Sequence, residues 1–170
     1  MSNILHAKET DLDEVYQLYK LGVSYLESNG IYQWDDQYPS KSDLIDDIKS
    51  NSVFLLKESN QLAGAITLDN KQDEQWANLS WAYSFDSILS LHRLCIHPDY
   101  SNRGYAKLLM EYAERFALNH GYQVIRLDSF LGNPFSQKLY PKLGYKEAIG
   151  YCYYHPNQIM CNGFEKLIQL

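Results

Sequence analysis

A glycine stands between a predicted strand and a predicted helix in the second half of the chain. The strand ends at His97, and the helix begins at Arg103-Gly104-Tyr105-Ala106. Glycine at such a turn lets backbone N–H groups approach a ligand closely. The first N–H groups of a helix have no helical partner and lie at its positive dipole end, and Arg103 adds a fixed positive charge. The turn therefore predicts an anion site suited to a pyrophosphate, although a simple tight turn also explains one glycine.

His92, one of two histidines on the same predicted strand, is a candidate general base. Strand alternation predicts that His92 shares one face with Leu94 and Ile96. His97 lies on the other face, and no cysteine or carboxylate set completes a site, so no metal is predicted. An imidazole, with an ordinary pKa of about 6.5, suits a general base at neutral pH. A structural role for His92 is the alternative.

An aromatic and acidic loop, IYQWDDQYP at residues 31–39, follows the first predicted helix. Aromatic walls beside carboxylates suit a cationic amine. The loop therefore predicts substrate-binding roles for Trp34, Asp35 and Tyr38, with Asp36 as a further candidate. An ordinary loop anchored by the tryptophan is the alternative.

Two segments carry the most specific pattern, LHRLCIHPDYSNRGYAKLLMEYAERFA (residues 91–117) and LDSFLGNPFSQKLYPKLGYK (residues 127–146). Together they resemble the GNAT family of acetyl-CoA-dependent N-acetyltransferases. The family's acyl-CoA signature, [Gln/Arg]-x-x-Gly-x-[Gly/Ala], falls on residues 101–106, where Gly104 and Ala106 match. Ser101 replaces the usual long polar side chain, so weaker phosphate contacts are expected rather than loss of binding. The second segment resembles the family's Asn…LYxKxGF at Asn133 and residues 139–145.

The resemblance implies an α/β fold, a mixed sheet flanked by helices whose two central parallel strands splay apart. Here those strands are residues 87–97 and 123–129. The implied cofactor is acetyl-CoA, with its pantetheine arm between the strands and its diphosphate on the N–H groups of residues 103–107. The cofactor-binding residues implied in this way are Leu94, Cys95, Ile96, Ser101, Asn102, Arg103, Gly104, Tyr105, Ala106, Lys107 and Asn133.

The resemblance also implies the chemistry, which is direct attack of an amine on a thioester. Tyr140 matches the family's general-acid tyrosine, and the ordinary pKa of a phenol, about 10, lies near the range of a thiol. A helix tyrosine packed on the sheet is the alternative. His92 matches the catalytic histidine of the arylalkylamine acetyltransferases, while other members use a glutamate or a water chain. Asn133 either caps the helix that carries Tyr140 or contacts the cofactor.

Several other polar residues have weaker signals. Tyr151, Tyr153 and Tyr154 could line the acceptor cleft or a dimer contact. Asp128 and Glu147 are predicted to be surface or structural residues.

The elements that must position these groups follow the order β-α-α-β-β-β-α-β-α-β-β. Strands are predicted at 3–8, 53–57, 62–69, 87–97, 123–129, 145–154 and 159–167. Helices are predicted from Thr10, as N-cap, to Ser28, then at 41–49 after the cap Ser40, at 103–120 and at 134–143. The strand–helix–strand unit at 87–129 should be a right-handed parallel crossover.

Composition bounds the remaining possibilities. A length of 170 residues predicts one domain, 1–170. A net charge of −6 argues against nucleic acid as a partner. No apolar run reaches the roughly 20 residues that span a membrane. Three cysteines without a C-x-x-C pair favour buried thiols in a reducing cytoplasm. The nucleotide-binding motifs G-x-G-x-x-G and G-x-x-x-x-G-K-[ST] are absent.

We therefore expect a cytoplasmic enzyme that acetylates a primary amine of a small molecule, or of a peptide or protein. The alternative is a non-catalytic acyl-CoA-binding or regulatory module on the same fold, because fold does not determine function and Ser101 departs from the signature. A homodimer is possible, since dimers are the commonest oligomers.

Overall fold

The residues that the computed structural model describes, 1–155 and 158–169, form eight β-strands and four α-helices. The strands are β1 (Ser2–His6), β2 (Val53–Glu58), β3 (Gln61–Asp69), β4 (Ile88–Ile96), β5 (Val124–Phe130), β6 (Lys146–Glu147), β7 (Cys152–Tyr154) and β8 (Ile159–Leu167). The helices are α1 (Leu12–Ser28), α2 (Lys41–Lys49), α3 (Tyr105–Asn119) and α4 (Pro134–Lys142). Short 3-10 turns lie at Glu9–Asp11, Glu74–Asn78 and Pro98–Tyr100. The α/β class is therefore confirmed, with one strand more than predicted.

The chain divides into two compact units, and the first comprises residues 1–68 and 93–112. Strands β1, β2 and β3 form an antiparallel meander in this unit. The N–H of His97 donates to the carbonyl of Ala63 over 2.8 Å, which fastens the end of β4 to β3. Helices α1 and α2 bury their apolar faces here, with Val15, Leu18 and Leu44 almost fully enclosed.

The second unit comprises residues 69–92 and the described part of 113–170. Strand β5 pairs in parallel with β4 and antiparallel with β8, and β6 and β7 also pair with β8. The ladder between β4 and β5 ends at Ser90 and Arg126, although β5 continues to Phe130. The two strands pair over only these three residue pairs, 88–90 with 124–126, which agrees with parallel strands that splay apart. The single domain inferred from chain length stays a prediction.

Local sequence explains most of the element boundaries. Ser40 caps α2, and Asp43 completes a capping box with it, as the serine predicted. The predicted N-cap of α1, Thr10, is wrong because a 3-10 turn occupies Glu9–Asp11, and Asp11 is the N-cap. The predicted strand at 145–154 is two strands, interrupted by Gly150 with a φ of +103°.

The described residues contain no helix that is both long and apolar enough to cross a bilayer.

Candidate active site

The turn before α3 has the backbone geometry that the glycine predicted. Asn102 and Gly104 both have positive φ, 61° and 82°. The first helical hydrogen bond runs from the N–H of Leu108 to the carbonyl of Gly104, over 3.0 Å. The N–H groups of Tyr105, Ala106 and Lys107 therefore precede the helical ladder, as at any helix N-terminus. A Cβ at Gly104 would meet no atom within 4 Å, so the space beside the turn is open.

The side chains around the turn also suit an anion. Arg103 is exposed, with its guanidinium 5.1 Å from the centre of the Tyr100 ring. Lys107 is exposed too and lies 3.7 Å from Glu111, one helical turn away. Arg103 and Tyr100 line a cleft of about 540 Å³ in the first unit. Ser101 is half-buried, so the backbone and Arg103 are the groups that fit a diphosphate here.

The end of β4 is less regular than a plain strand. Arg93 has a φ of +50°, which turns one peptide out of the pleat and interrupts the alternation predicted for His92, Leu94 and Ile96. Leu94 and Ile96 are half-buried. Cys95 is buried with its Sγ 3.9 Å from the Leu18 carbonyl, and burial raises the pKa of its thiol to about 12.

The acceptor loop predicted from its composition is fastened to Arg93. The hydroxyl of Tyr38 accepts from the Arg93 guanidinium over 2.8 Å, and Arg93 also pairs closely with Asp47 of α2. Trp34 packs edge-on against Tyr19, with 5.6 Å between ring centres. The Tyr19 hydroxyl in turn donates to the Arg93 carbonyl over 2.6 Å.

Asp35 has a local structural contact as well. Its Oδ1 accepts from the backbone N–H groups of Gln37 and Tyr38, at 2.8 and 2.9 Å. The structure thus brings Trp34, Asp35 and Tyr38 together in one unit. Arg93, which joins this loop to β4, was missed because nothing in the sequence marks a positive φ at an arginine.

His92, in the second unit, is oriented by a carboxylate. Its Nε2 lies 3.2 Å from Asp69 Oδ1 and 3.2 Å from the Lys71 carbonyl. Both neighbours are acceptors, so Nε2 carries the proton and the neutral ring keeps its lone pair on Nδ1. The imidazole stacks on Trp76, with 5.7 Å between ring centres. Although burial opposes it, the hydrogen bond from His92 lowers the pKa of Asp69.

Tyr140 lies in α4 and is 6% exposed. Its ring contacts Tyr145 and Phe164, with centre distances of 6.0 and 5.5 Å. Burial first, and the charge of Asp128 second, raise the pKa of its phenol. The hydroxyl therefore keeps its proton at neutral pH, as a general acid must before it acts.

Asn133 has the capping role that was one of its two predicted roles. Its Oδ1 accepts from the N–H groups of Phe135 and Ser136, at 3.1 and 3.3 Å, at the start of α4. It therefore helps to orient the helix that carries Tyr140, and its contact with a cofactor stays a prediction.

Asp128, predicted to be a surface or structural residue, stands beside these groups. It accepts from the Trp76 indole over 2.8 Å and closely from the Tyr154 hydroxyl. The partners are 52 and 26 residues away along the chain, so no local pattern could have shown the cluster.

The described residues contain no group of three or more His, Cys, Asp or Glu side chains placed to hold a metal ion.

Known proteins share this fold. A GNAT-family acetyltransferase from Streptococcus agalactiae has a TM-score of 0.86 at 21% identity, covering 99% of this chain and 96% of its own. The ribosomal-protein-S18-alanine N-acetyltransferase from Escherichia coli has a TM-score of 0.72 at 18% identity, covering 100% and 96%. PaiA N-acetyltransferase from Thermoplasma acidophilum, in complex with coenzyme A, has a TM-score of 0.72 at 18% identity, covering 98% and 99%. No curated protein matches the chain.

The sequence also matches a family profile directly. The profile of the acetyltransferase (GNAT) family covers residues 12–145, from the start of α1 to the end of the stretch at 139–145 that resembles LYxKxGF. The chain therefore belongs to the GNAT acetyltransferase family.

Proposed function

We propose that this protein transfers the acetyl group of acetyl-CoA to a primary amine of a small molecule, or of a peptide or protein. Family membership supports acetyl-CoA as the cofactor. The observation that carries the proposal is the turn before α3, with Gly104 at a φ of +82° and open space beside it. A cytoplasmic location and a homodimer stay predictions.

The residues of the turn suit the anionic end of the cofactor. The N–H groups of residues 103–107 and the Arg103 guanidinium would hold the diphosphate. The backbone of Leu94, Cys95 and Ile96 would bond the pantetheine arm. Bound acetyl-CoA supplies a thioester carbonyl for the amine to attack.

Two side chains would move protons in this reaction. His92 takes a proton from the acceptor ammonium on Nδ1, because Asp69 occupies Nε2. Tyr140 gives its proton to the leaving sulfur. The nitrogen gives its second proton to the tyrosinate this leaves at Tyr140 as the amide forms, and the proton held by His92 passes to water. We expect His92→Gln to change the low-pH side of the pH–rate profile. Superimposable profiles for the variant and the wild type would show that His92 is not the base.

The loop of Trp34, Asp35 and Tyr38 would bind the acceptor. Aromatic rings beside a carboxylate favour a cationic amine over a neutral nucleophile. The relative from Escherichia coli is named for an alanine of a ribosomal protein, which supports a peptide amine as an acceptor class.

The test is thermal unfolding with and without acetyl-CoA, followed by a thiol-release assay with an amine panel. Cofactor at 100 times its Kd adds about 2.7 kcal/mol, a rise in Tm of roughly 5–11 °C for a chain of this size. Ser101→Arg is the matched variant, and it should enlarge the rise by adding a phosphate ligand. No rise at millimolar cofactor would refute the proposal.

The second candidate, a non-catalytic acyl-CoA-binding module, is favoured only by Ser101. A rise in Tm without thiol release from any amine would favour that role.

A further inference from the structure

Asp128, in β5, accepts hydrogen bonds through only one of its two carboxylate oxygens from the residues that the structure describes. Oδ2 accepts both from the Trp76 indole, over 2.8 Å, and from the Tyr154 hydroxyl. No donor among the residues that the structure describes contacts Oδ1. Two donors on a single oxygen hold the carboxylate in one orientation, so the free oxygen is presented at a fixed position.

Among the residues that the structure describes, no cation balances the charge of this half-buried carboxylate. Asp128 takes part in none of the ion pairs found within residues 1–155 and 158–169. Withdrawing a charge from water is costly unless it is paired, so such a site favours a cationic ligand. The neighbouring Tyr154 side chain is half-buried, and an aromatic ring also attracts cations.

The same carboxylate lies within electrostatic reach of the proposed acid. After burial, Asp128 is the group that raises the pKa of Tyr140. The charge of Asp128 is also the second cause, after burial, that raises the pKa of Tyr154, Cys152 and Cys161. A cation on Oδ1 would offset this charge and bring the pKa of Tyr140 back toward its ordinary value. Binding would then make Tyr140 a better proton donor.

We propose that Oδ1 of Asp128 binds the ammonium group of the acceptor amine and so selects cationic acceptors. The inference rests on the proposed function, because it names the group that recognises that reaction's second substrate. It gives Asp128 a binding role, distinct from the roles proposed for Tyr140 and His92.

The experiment compares n-hexylamine, a cation at neutral pH, with n-hexanol, a neutral molecule of similar shape. Both are titrated into the 170-residue chain at low salt, with binding followed by ligand-observed NMR. We expect the wild type to bind the amine at least tenfold more tightly than the alcohol. Asp128→Asn should weaken amine binding about 10- to 100-fold, the usual range for a hydrogen bond to a charged group, and leave the alcohol unchanged. Asparagine still offers an oxygen to Trp76 and Tyr154, so the cluster is kept.

Asp73→Asn is the matched control. The charge of Asp73 also raises the pKa of Tyr154 and Cys152, to a smaller extent than burial and Asp128 do. The Oδ1 of Asp73 accepts from the N–H of Gln75 and so caps a 3-10 turn. Asparagine preserves that cap and removes the same charge, so amine binding should stay within about twofold of wild type. If Asp128→Asn does not fold, Asp128→Glu replaces it; it should keep the preference for the amine with reduced affinity.

Three results would overturn the inference: equal binding of amine and alcohol by the wild type, an unchanged preference in Asp128→Asn, or an equal loss in Asp73→Asn. Thermal unfolding with acetyl-CoA on the same samples separates this failure from that of the proposed function. A wild type that is stabilised by acetyl-CoA but shows no preference for the amine refutes the role of Asp128 alone.

Discussion

Tyr140 combines a buried ring with the position of the family's acid. We expect Tyr140→Phe to lower kcat at least tenfold, because a general acid typically contributes about 10²- to 10⁴-fold to the rate. The Tm rise with acetyl-CoA should be nearly intact, since the variant keeps the ring that packs on Phe164. Tyr145→Phe is the control, because it removes a phenol from the same aromatic cluster.

Single-turnover measurements separate chemistry from product release in this test. If the single-turnover rates of Tyr140→Phe and wild type coincide, Tyr140 is not the acid. If Tyr145→Phe loses as much activity as Tyr140→Phe, the effect belongs to packing in the cluster.

The sequence could identify Tyr140 and His92 as candidates but could not identify Asp128. Tyr140 lies in the segment that resembles the family's Asn…LYxKxGF motif. His92 is a candidate because histidine is a residue type that can act as a base at neutral pH. Asp128 differs from other aspartates only through Trp76 and Tyr154, which reach it through the tertiary fold. The predicted surface or structural role of Asp128 agrees with its hydrogen bonds to Trp76 and Tyr154, but it did not include a carboxylate oxygen without a donor.

At the scale of elements, the backbone conformation of the turn before α3 should determine how well the protein binds acetyl-CoA. Gly104→Ala should lower the free energy of unfolding by about 1–2 kcal/mol, the cost of a side chain in the left-handed region. The added Cβ has no neighbour within 4 Å, so this cost comes from the backbone and not from a clash. The variant should also reduce the Tm rise with acetyl-CoA, because relaxation of the turn redirects the N–H groups.

Gly30→Ala is the control for this prediction. Gly30 follows α1 with a φ of +74° and also has open space around a Cβ. Gly30→Ala should lower the free energy of unfolding by a similar amount and keep the full rise in Tm with acetyl-CoA. Equal effects of acetyl-CoA on both variants would mean that the turn before α3 does not hold the cofactor.

Elements with local signals were predictable, and those without them were not. Ser40 followed by Asp43 marks the start of α2, and Gly30 marks the end of α1. The positive φ of Arg93 has no such signal, because an arginine adopts it only under tertiary constraint. Its pairing with Tyr38 and Asp47, far away in the sequence, supplies contacts on which that constraint can rest.

At the scale of the whole molecule, buried protonated groups recur in both units. Cys95 belongs to the first unit and Cys152 to the second, and both are free and buried, as their spacing predicted. Burial raises the pKa of each thiol from 9.0 to about 12. Between these values the unfolded chain ionises its thiols while the folded chain keeps them protonated. The folded state therefore binds more protons, and stability must fall as pH rises.

We expect the free energy of unfolding, measured by urea titration in reductant, to decline above pH 9.0 and to keep falling toward pH 12. Each thiol that ionises only on unfolding contributes a slope of about 1.4 kcal/mol per pH unit. Cys95→Ala should be less stable at neutral pH, because it leaves a small cavity, yet its decline should be shallower by one such slope. The net charge of −6 adds self-repulsion at high pH, but it affects both proteins alike. Parallel declines would show that the Cys95 thiol does not contribute to the alkaline loss of stability.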